Sequence, residues 1–521
     1  MSSEQLPSEK NSAGDSPGMR EFDATVIGGS LTAFAAALDL AEVGLRVAFI
    51  ETDEPQAKAQ AVRDHTGCVR SFLDRIARPL SQGSADREDI APVVNRNNSV
   101  AVLGRDGQPH PLPEPNMFGI PATPLNERVP RLIGQGASFR AYLDRILPVL
   151  TVGKQESLWK LVVSRMGHKL AQTLVRPLLA AEYGVPVEDI ETSIAAPGLN
   201  EALTRAGSLS GGVLALADRW EDHRLTVRPR DGWEVLYAAA RDRLSLYQTE
   251  QFFNRPTRVR SVEVETSESA PQSVWDVQLD DGQVVRSRAL VIDRESAETG
   301  AIPGLEEPHM PVLRTVASAT VSAVESNSKA NIASANPKNS AACEFDGGLV
   351  LQVPPAVKNA DANTKLGSSR SGHQNALATQ DTAAVIISRE SAHTLRVEFL
   401  LQRQKQQKRA QVDNSNSAEG AAGQSADALA MSETANALFS KLGLTPPVTA
   451  WEWNVTHRAA RFARDDERQQ TRLAVNQAQE TAAPLRFIGE LYHGGDVSDA
   501  LHHVPTVTHP LRRVLTGIAD S

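Results

Sequence analysis

Apolar positions first gather at Ala24-Thr25-Val26-Ile27, a short β-rich run that ends in Gly28-Gly29. From Leu31 to Val43 the apolar residues recur at helical spacing among many alanines, and Gly44 stands where a helix would stop. Arg46-Val47-Ala48-Phe49-Ile50 is a second β-rich run, closed by Glu51. The pattern predicts strand, glycine turn, helix, strand and terminal acid within about thirty residues, the first half of a dinucleotide-binding unit.

Later rhythms fill in the rest. Phe139 to Arg224 is mostly helical in pattern, with apolar residues near helical spacing from Leu158 to Leu179. Thr257 to Val262, Trp275 to Leu279 and Ala289 to Ile292 read as strands, the second followed by the turn Asp280-Asp281-Gly282. Four more strands are predicted at Leu313 to Val324, Gly348 to Val353, Ala383 to Ser388 and Leu395 to Leu401. They are separated by Glu325 to Ala342, Lys358 to Asp381 and Gln404 to Gln424, polar stretches without material for a core, which read as surface loops. At the far end, Leu485 to Gly489 predicts a strand and Glu490 to Asp496 a Gly-rich turn. Val497 to Ile518 then predicts a helix broken near Pro505 and Pro510. Residues 1–20 are polar throughout and read as a disordered tail rather than a signal peptide.

Composition removes whole classes of function. The 54 Lys and Arg against 63 Asp and Glu leave a net charge of −9, so no bulk basic face exists for nucleic acid. Cys68 and Cys343 lie far apart and form neither a disulfide framework nor metal-ligand spacing, which points to a reducing, cytoplasmic setting. No run of about eighteen apolar residues predicts a membrane span. Peripheral contact with a membrane stays open.

The opening unit carries the chemistry. A tight turn at Gly28 and Gly29 lets backbone N–H groups at the helix start face a pyrophosphate, where the helix dipole favours negative charge. Glu51 is placed to accept hydrogen bonds from ribose hydroxyls. Two departures from G-x-G-x-x-G stand out: Ala33 is an accepted substitute at the helix–strand contact, while Ser30 puts a Cβ where backbone should approach phosphate. The alternative is an ordinary βαβ unit with no ligand.

Four segments give the chain a family likeness. Asp23 to Glu51; Arg105 to Pro113 running on to Phe118-Gly119-Ile120-Pro121; Met166 to Ala181 with Glu182-Tyr183-Gly184; and Phe487 to Leu501, FIGELYHGGDVSDAL, together resemble the FAD-dependent protoporphyrinogen/coproporphyrinogen oxidases of the amine-oxidase-like flavoproteins. The resemblance implies an α/β fold, a Rossmann-type FAD domain interleaved with a mixed-sheet substrate domain and a helical region. It assigns 21–104, 225–305 and 482–521 to the FAD domain, 105–224 to the helical region over the substrate, and 306–481 to the second sheet with its low-complexity loops. It implies FAD as cofactor, held by Gly28, Gly29, Ser30, Ala33, Glu51, the backbone of Val259, and the turn Gly494, Gly495, Asp496 and Val497. It implies oxidation of a tetrapyrrole porphyrinogen in heme biosynthesis, with dioxygen as acceptor and other heme-pathway enzymes as partners.

Departures from the family concentrate at the flavin. Besides Ser30, Asp496 stands at a position the family usually fills with glycine, and Thr52 to Arg63 lacks the family's Arg and Gly-Gly stretch. They keep open a non-catalytic relative that binds a tetrapyrrole or a partner protein, as well as a flavin oxidase or desaturase of another apolar substrate. No catalytic residue is assigned and no metal is expected. His493, His502, His503 and His509 read as surface or flavin-edge histidines, and His65 with Cys68 lacks a partner pair for zinc. Arg131, Arg165, Lys169 and Arg176 are cations of the type that pairs with propionates, though solvated or carboxylate-paired roles fit arginines on helices equally. Trp451 and Trp453 fit core packing better than a flavin contact.

Overall fold

The computed structural model describes residues 19–52, 61–79, 86–95, 100–105, 109–148, 157–266, 269–294, 302–308, 313–322, 349–351, 382–389, 394–401, 431–439 and 451–518. The polar tail through residue 18, the three polar stretches and most of 52–63 fall outside these residues.

The predicted opening unit is present as strand β1 (Met19–Ile27), helix α1 (Leu31–Ala41) and strand β2 (Val47–Ile50). All four residues of β2 are buried, as an apolar run covered on both faces of a parallel sheet should be. Every residue of α1 is buried as well, because helix α2 (Cys68–Ala77), helix α3 (Trp233–Leu244) and the sheet enclose one apolar cluster around it. The polar intruder Asp39 is satisfied there by Arg75 at 2.8 Å and the Thr508 hydroxyl at 2.9 Å.

Strand β3 (Val284–Asp293) lies parallel to β1 on the side opposite β2, and strand β4 (Leu485–Ile488) lies parallel to β3. On the other flank of β2 runs Thr249–Phe252, a strand whose TEQF pattern carries no apolar alternation and which sequence reasoning missed. Strands Pro256–Thr266 and Ser269–Leu279 complete this first sheet as antiparallel neighbours leading into β3. Three distant parts of the chain therefore return to one layer.

Helix α4 (Val497–Thr516) closes the chain and packs on α1. It runs unbroken through Pro505 and Pro510, which corrects the expectation of a break. Its apolar stripe of Val497, Leu501, Val504, Leu511 and Leu515 is buried along its length. That burial offsets a cost of about 3 kcal/mol for an interior proline.

The second sheet orders Asn454–Ala459, Leu313–Ser322, Thr394–Leu401, Thr382–Arg389, Leu349–Leu351, Ala101–Leu103 and Pro109–Pro111. Residues 101–103 thus pair here and not with the first sheet. The 431–439 helix covers one face through Met431, Ala435, Leu438 and Phe439. Trp451 and Trp453 stack on each other at 5.3 Å and finish that core, donating to Asn436 and Ser432. A mostly helical region spans Arg128–Ile133 to Ala217–His223, and its apolar core is shared with the second sheet through Val102, Val316 and Leu400. No helix among the described residues is long and apolar enough to cross a membrane.

Candidate functional site

Register places Ile50, Ile27, Ile292 and Phe487 side by side, so the carboxyl ends of β2, β1, β3 and β4 share one edge. In open α/β sheets that edge is where ligands bind. All three carboxylates of interest, Glu51, Asp293 and Asp496, follow or end elements that stop there.

At the start of α1, Gly28 has φ +150° and donates its N–H to Ile50 at 3.0 Å, closing the turn. Gly29 follows, half-buried. Ser30 caps the helix: its Oγ accepts the Thr32 N–H at 3.1 Å. Ala33 is fully buried one turn in. The unforeseen member is Asp293, the last residue of β3, whose carboxylate accepts the Ser30 N–H at 3.3 Å and the Thr32 hydroxyl. A Cβ on Gly28 would lie 2.5 Å from the Asp293 Cβ, so the glycine makes room for this acid. The signal was a charged pair, Asp293-Arg294, directly after the apolar run Ala289 to Ile292.

Glu51 leaves β2 with only 4% of its side chain exposed. Its two oxygens accept from one guanidinium, Arg241 of α3, at 2.5 and 2.9 Å. Val259 is buried in Pro256–Thr266, and its N–H is given to Pro303 at 2.9 Å. One of the two backbone groups of Val259, a residue whose backbone the resemblance directs to FAD, is thus engaged within the protein.

The C-terminal turn repeats the pattern of the first. Gly494 and Gly495 have φ of +76° and +69°, and Asp496 caps α4 by accepting the Ser498 N–H at 3.0 Å. The other Asp496 oxygen pairs with Arg461, which also meets Glu182 at 3.0 Å. Glu182 continues to Arg63 at 2.6 Å. Burial works against the Arg461 charge, but Glu182 and Asp496 outweigh it and hold the guanidinium protonated more firmly than usual. Val497 is buried as the first residue of α4. Beside it, Ser498 donates to Asp64 at 3.2 Å, and Asp64 also accepts the Val69 and Arg70 N–H groups at the start of α2. Each of the three helix starts on this edge is met by a carboxylate from its own chain.

Glu182 comes from the Met166 to Ala181 segment and its Glu-Tyr-Gly extension, in which a π-turn, Ala171–Val175, leads into the helix Arg176–Tyr183. Burial pushes the neighbouring Tyr183 hydroxyl up to about 12. Arg165 is buried on Asp144 at 2.7 Å and on nearby carbonyls, and its role there is structural. Arg131 pairs with Glu127 at 3.5 Å, and Arg176 lies 5.7 Å over the Trp159 ring and 4.0 Å from Glu188. The histidines separate: the His493 ring lies tilted against His503 with centroids 4.2 Å apart, whereas His65 meets Asp499 at 3.0 Å. Burial first, and His503 second, depress His493 to about 3. Among the described residues no group of three or more His, Cys, Asp and Glu is placed to hold a metal.

Comparison with known proteins agrees with this architecture. No protein-family model matches the chain. A coproporphyrinogen III oxidase of Bacillus subtilis (strain 168) is 22% identical over 340 residues, 63% of this chain and 69% of that protein. A crystal structure from Exiguobacterium sp. 255-15, assigned as a protoporphyrinogen oxidase, is 15% identical with a TM-score of 0.56, over 95% of this chain and 98% of that one. An oxidoreductase of Methanosarcina mazei is 9% identical at a TM-score of 0.50, over 94% and 100%. The chain shares its fold with these two structures.

Tested against FAD, the frame fits: a glycine turn, a capped helix start at the strand ends, and the Glu51 carboxylate, whose acceptor positions outnumber the two bonds from Arg241. One side chain runs against it. Asp293 puts negative charge on the donors that would face a pyrophosphate.

Proposed function

We propose that the protein is an FAD-dependent oxidase that converts a porphyrinogen, coproporphyrinogen III or protoporphyrinogen IX, to the porphyrin in heme biosynthesis, with dioxygen as acceptor. The observation that carries this reading is the meeting of the α1 start, Glu51 and the α4 start on one sheet edge. Likeness in sequence to a coproporphyrinogen III oxidase supports the choice of substrate.

FAD, when bound, supplies the hydride acceptor, and the protein's part is binding, orientation and electrostatics. The Gly28-Gly29 turn and the Ser30 cap present the first turn of α1. Glu51 offers the lone pairs left by Arg241 to ribose hydroxyls. Asp496 caps α4, and Arg461 compensates the charge of that cap, so the acid would not stand as a bare anion toward a bound flavin. The helical region, packed on the second sheet through one apolar core, is suited to cover an apolar macrocycle and exclude water.

A second reading, a non-catalytic relative that binds a tetrapyrrole or a protein partner, is favoured by Asp293. The two separate on one preparation. Purified protein is incubated with FAD, freed of excess, and examined for flavin absorbance and for porphyrin fluorescence on adding either porphyrinogen in air. A yellow protein that forms porphyrin faster than the FAD-only control is expected. A colourless protein that refuses FAD yet binds the porphyrinogen would establish the second reading.

A further inference from the structure

We propose that Asp293 is a built-in competitor for the cofactor's pyrophosphate, and that it sets how tightly this chain holds FAD. The inference rests on the flavin reading above and goes beyond it by assigning the affinity to one side chain.

Three observations place the acid. Asp293 is 5% exposed, so its carboxylate is not a solvated surface charge. It accepts from the Ser30 N–H at 3.3 Å and from the Thr32 hydroxyl, both donors of the first turn of an eleven-residue helix. It also fills the space beside Gly28, where a Cβ would come within 2.7 Å of its Oδ2. The absence of a side chain at Gly28, the feature that elsewhere admits a phosphate, here admits a carboxylate.

The consequence is electrostatic. A helix start attracts an anion through its N–H groups and dipole, and here one negative charge is already seated on those donors. A pyrophosphate brought to the same turn must either displace Asp293 or sit beside it. Two unit charges a few ångströms apart in a part-buried site repel by enough to weaken binding about tenfold or more. A neutral amide of the same shape removes the charge; its one oxygen accepts the Ser30 N–H, and its NH2 group donates to the Thr32 hydroxyl, which can turn to accept.

The test is fluorescence titration of the full chain with FAD and, separately, with riboflavin, which lacks the pyrophosphate. Wild type is compared with Asp293→Asn and with Asp293→Ser, the second guarding against misfolding of the first; a thermal melt accompanies each. Both variants are expected to bind FAD at least about tenfold tighter than wild type, with riboflavin affinity unchanged. Equal FAD affinity in all three proteins overturns the inference and leaves the flavin reading standing. Equal tightening for FAD and riboflavin also overturns it, because pyrophosphate repulsion cannot act on riboflavin. FAD binding by none of the three overturns the flavin reading and this inference with it.

Discussion

Replacing Arg461 by Met removes the cation that joins Glu182 to Asp496 and leaves a hydrophobic chain of similar reach. Asp496 is 6% exposed at its side chain, Glu182 20% and Arg461 23%, so little of the pair is screened by water. Glu182 keeps Arg63 at 2.6 Å, which limits the damage on that side. Asp496 then keeps its cap bond to Ser498 at 3.0 Å and a longer approach to His65 Nδ1 at 3.9 Å. Removing one partner of a buried pair costs about 3–5 kcal/mol, and the surviving contacts put this case near the lower end, about 3 kcal/mol. Urea unfolding at neutral pH should show the midpoint falling with the slope unchanged. A variant within about 0.5 kcal/mol of wild type at neutral pH would refute the buried-pair reasoning, since exposed pairs contribute that little.

Gly28→Val should lose FAD binding and destabilise the fold by at least ~1–3 kcal/mol, because φ is +150° and the new Cβ meets Asp293; a melt and an FAD titration read both. Glu51→Gln should weaken the Arg241 pair and FAD binding by about 1–3 kcal/mol each, measured by urea unfolding and titration; an unchanged FAD affinity would remove Glu51 from the ribose. His493 binds a proton in the unfolded chain below about 6.5 but in the folded one only near 3, so stability should fall as pH drops through that window. His493→Phe should flatten that slope, which is at most about 1.4 kcal/mol per pH unit, and an unaltered profile would assign the slope to other groups.

The fold was legible where apolar rhythm and glycine punctuation act locally. The β1–α1–β2 unit, four of the seven strands of the second sheet and the helical run from Phe139 onward follow from such patterns, whereas Ala101–Leu103, Pro109–Pro111 and Asn454–Ala459 were not read as strands. What escaped was set by tertiary contact. Thr249–Phe252 is held in the sheet by pairing with β2, and its own residues carry no strand signal. Pro505 and Pro510 read as breaks because intrinsic preference is local, whereas burial of the α4 stripe is not. At the site, the glycines and Glu51 were visible from spacing. Their partners Arg241, Asp293 and Arg461 lie 190, 263 and 35 residues away from Glu51, Ser30 and Asp496, beyond the reach of any periodicity.

Those partners explain why the acids at the strand ends form one pattern rather than a scatter. Glu51, Asp293 and Asp496 arrive on three separate returns of the chain, and each meets a group of this protein: a guanidinium, a hydroxyl with an N–H, and a second guanidinium. A site that relies on its cofactor leaves such groups for the ligand to satisfy, and loses stability without it. Here they are satisfied beforehand, so a ligand must give back what it displaces before it contributes. Stabilisation by a ligand grows as RT ln(1 + [L]/Kd), about 2.7 kcal/mol when the ligand stands at a hundred times its Kd. With Asp293 in place a given FAD concentration stands at a smaller multiple of Kd, and the thermal shift it produces shrinks accordingly. The cation at Arg461 and the acid at Asp293 therefore act in opposite senses on the two functions of this edge. One holds the apo fold together without a cofactor, and the other sets how much the cofactor can add.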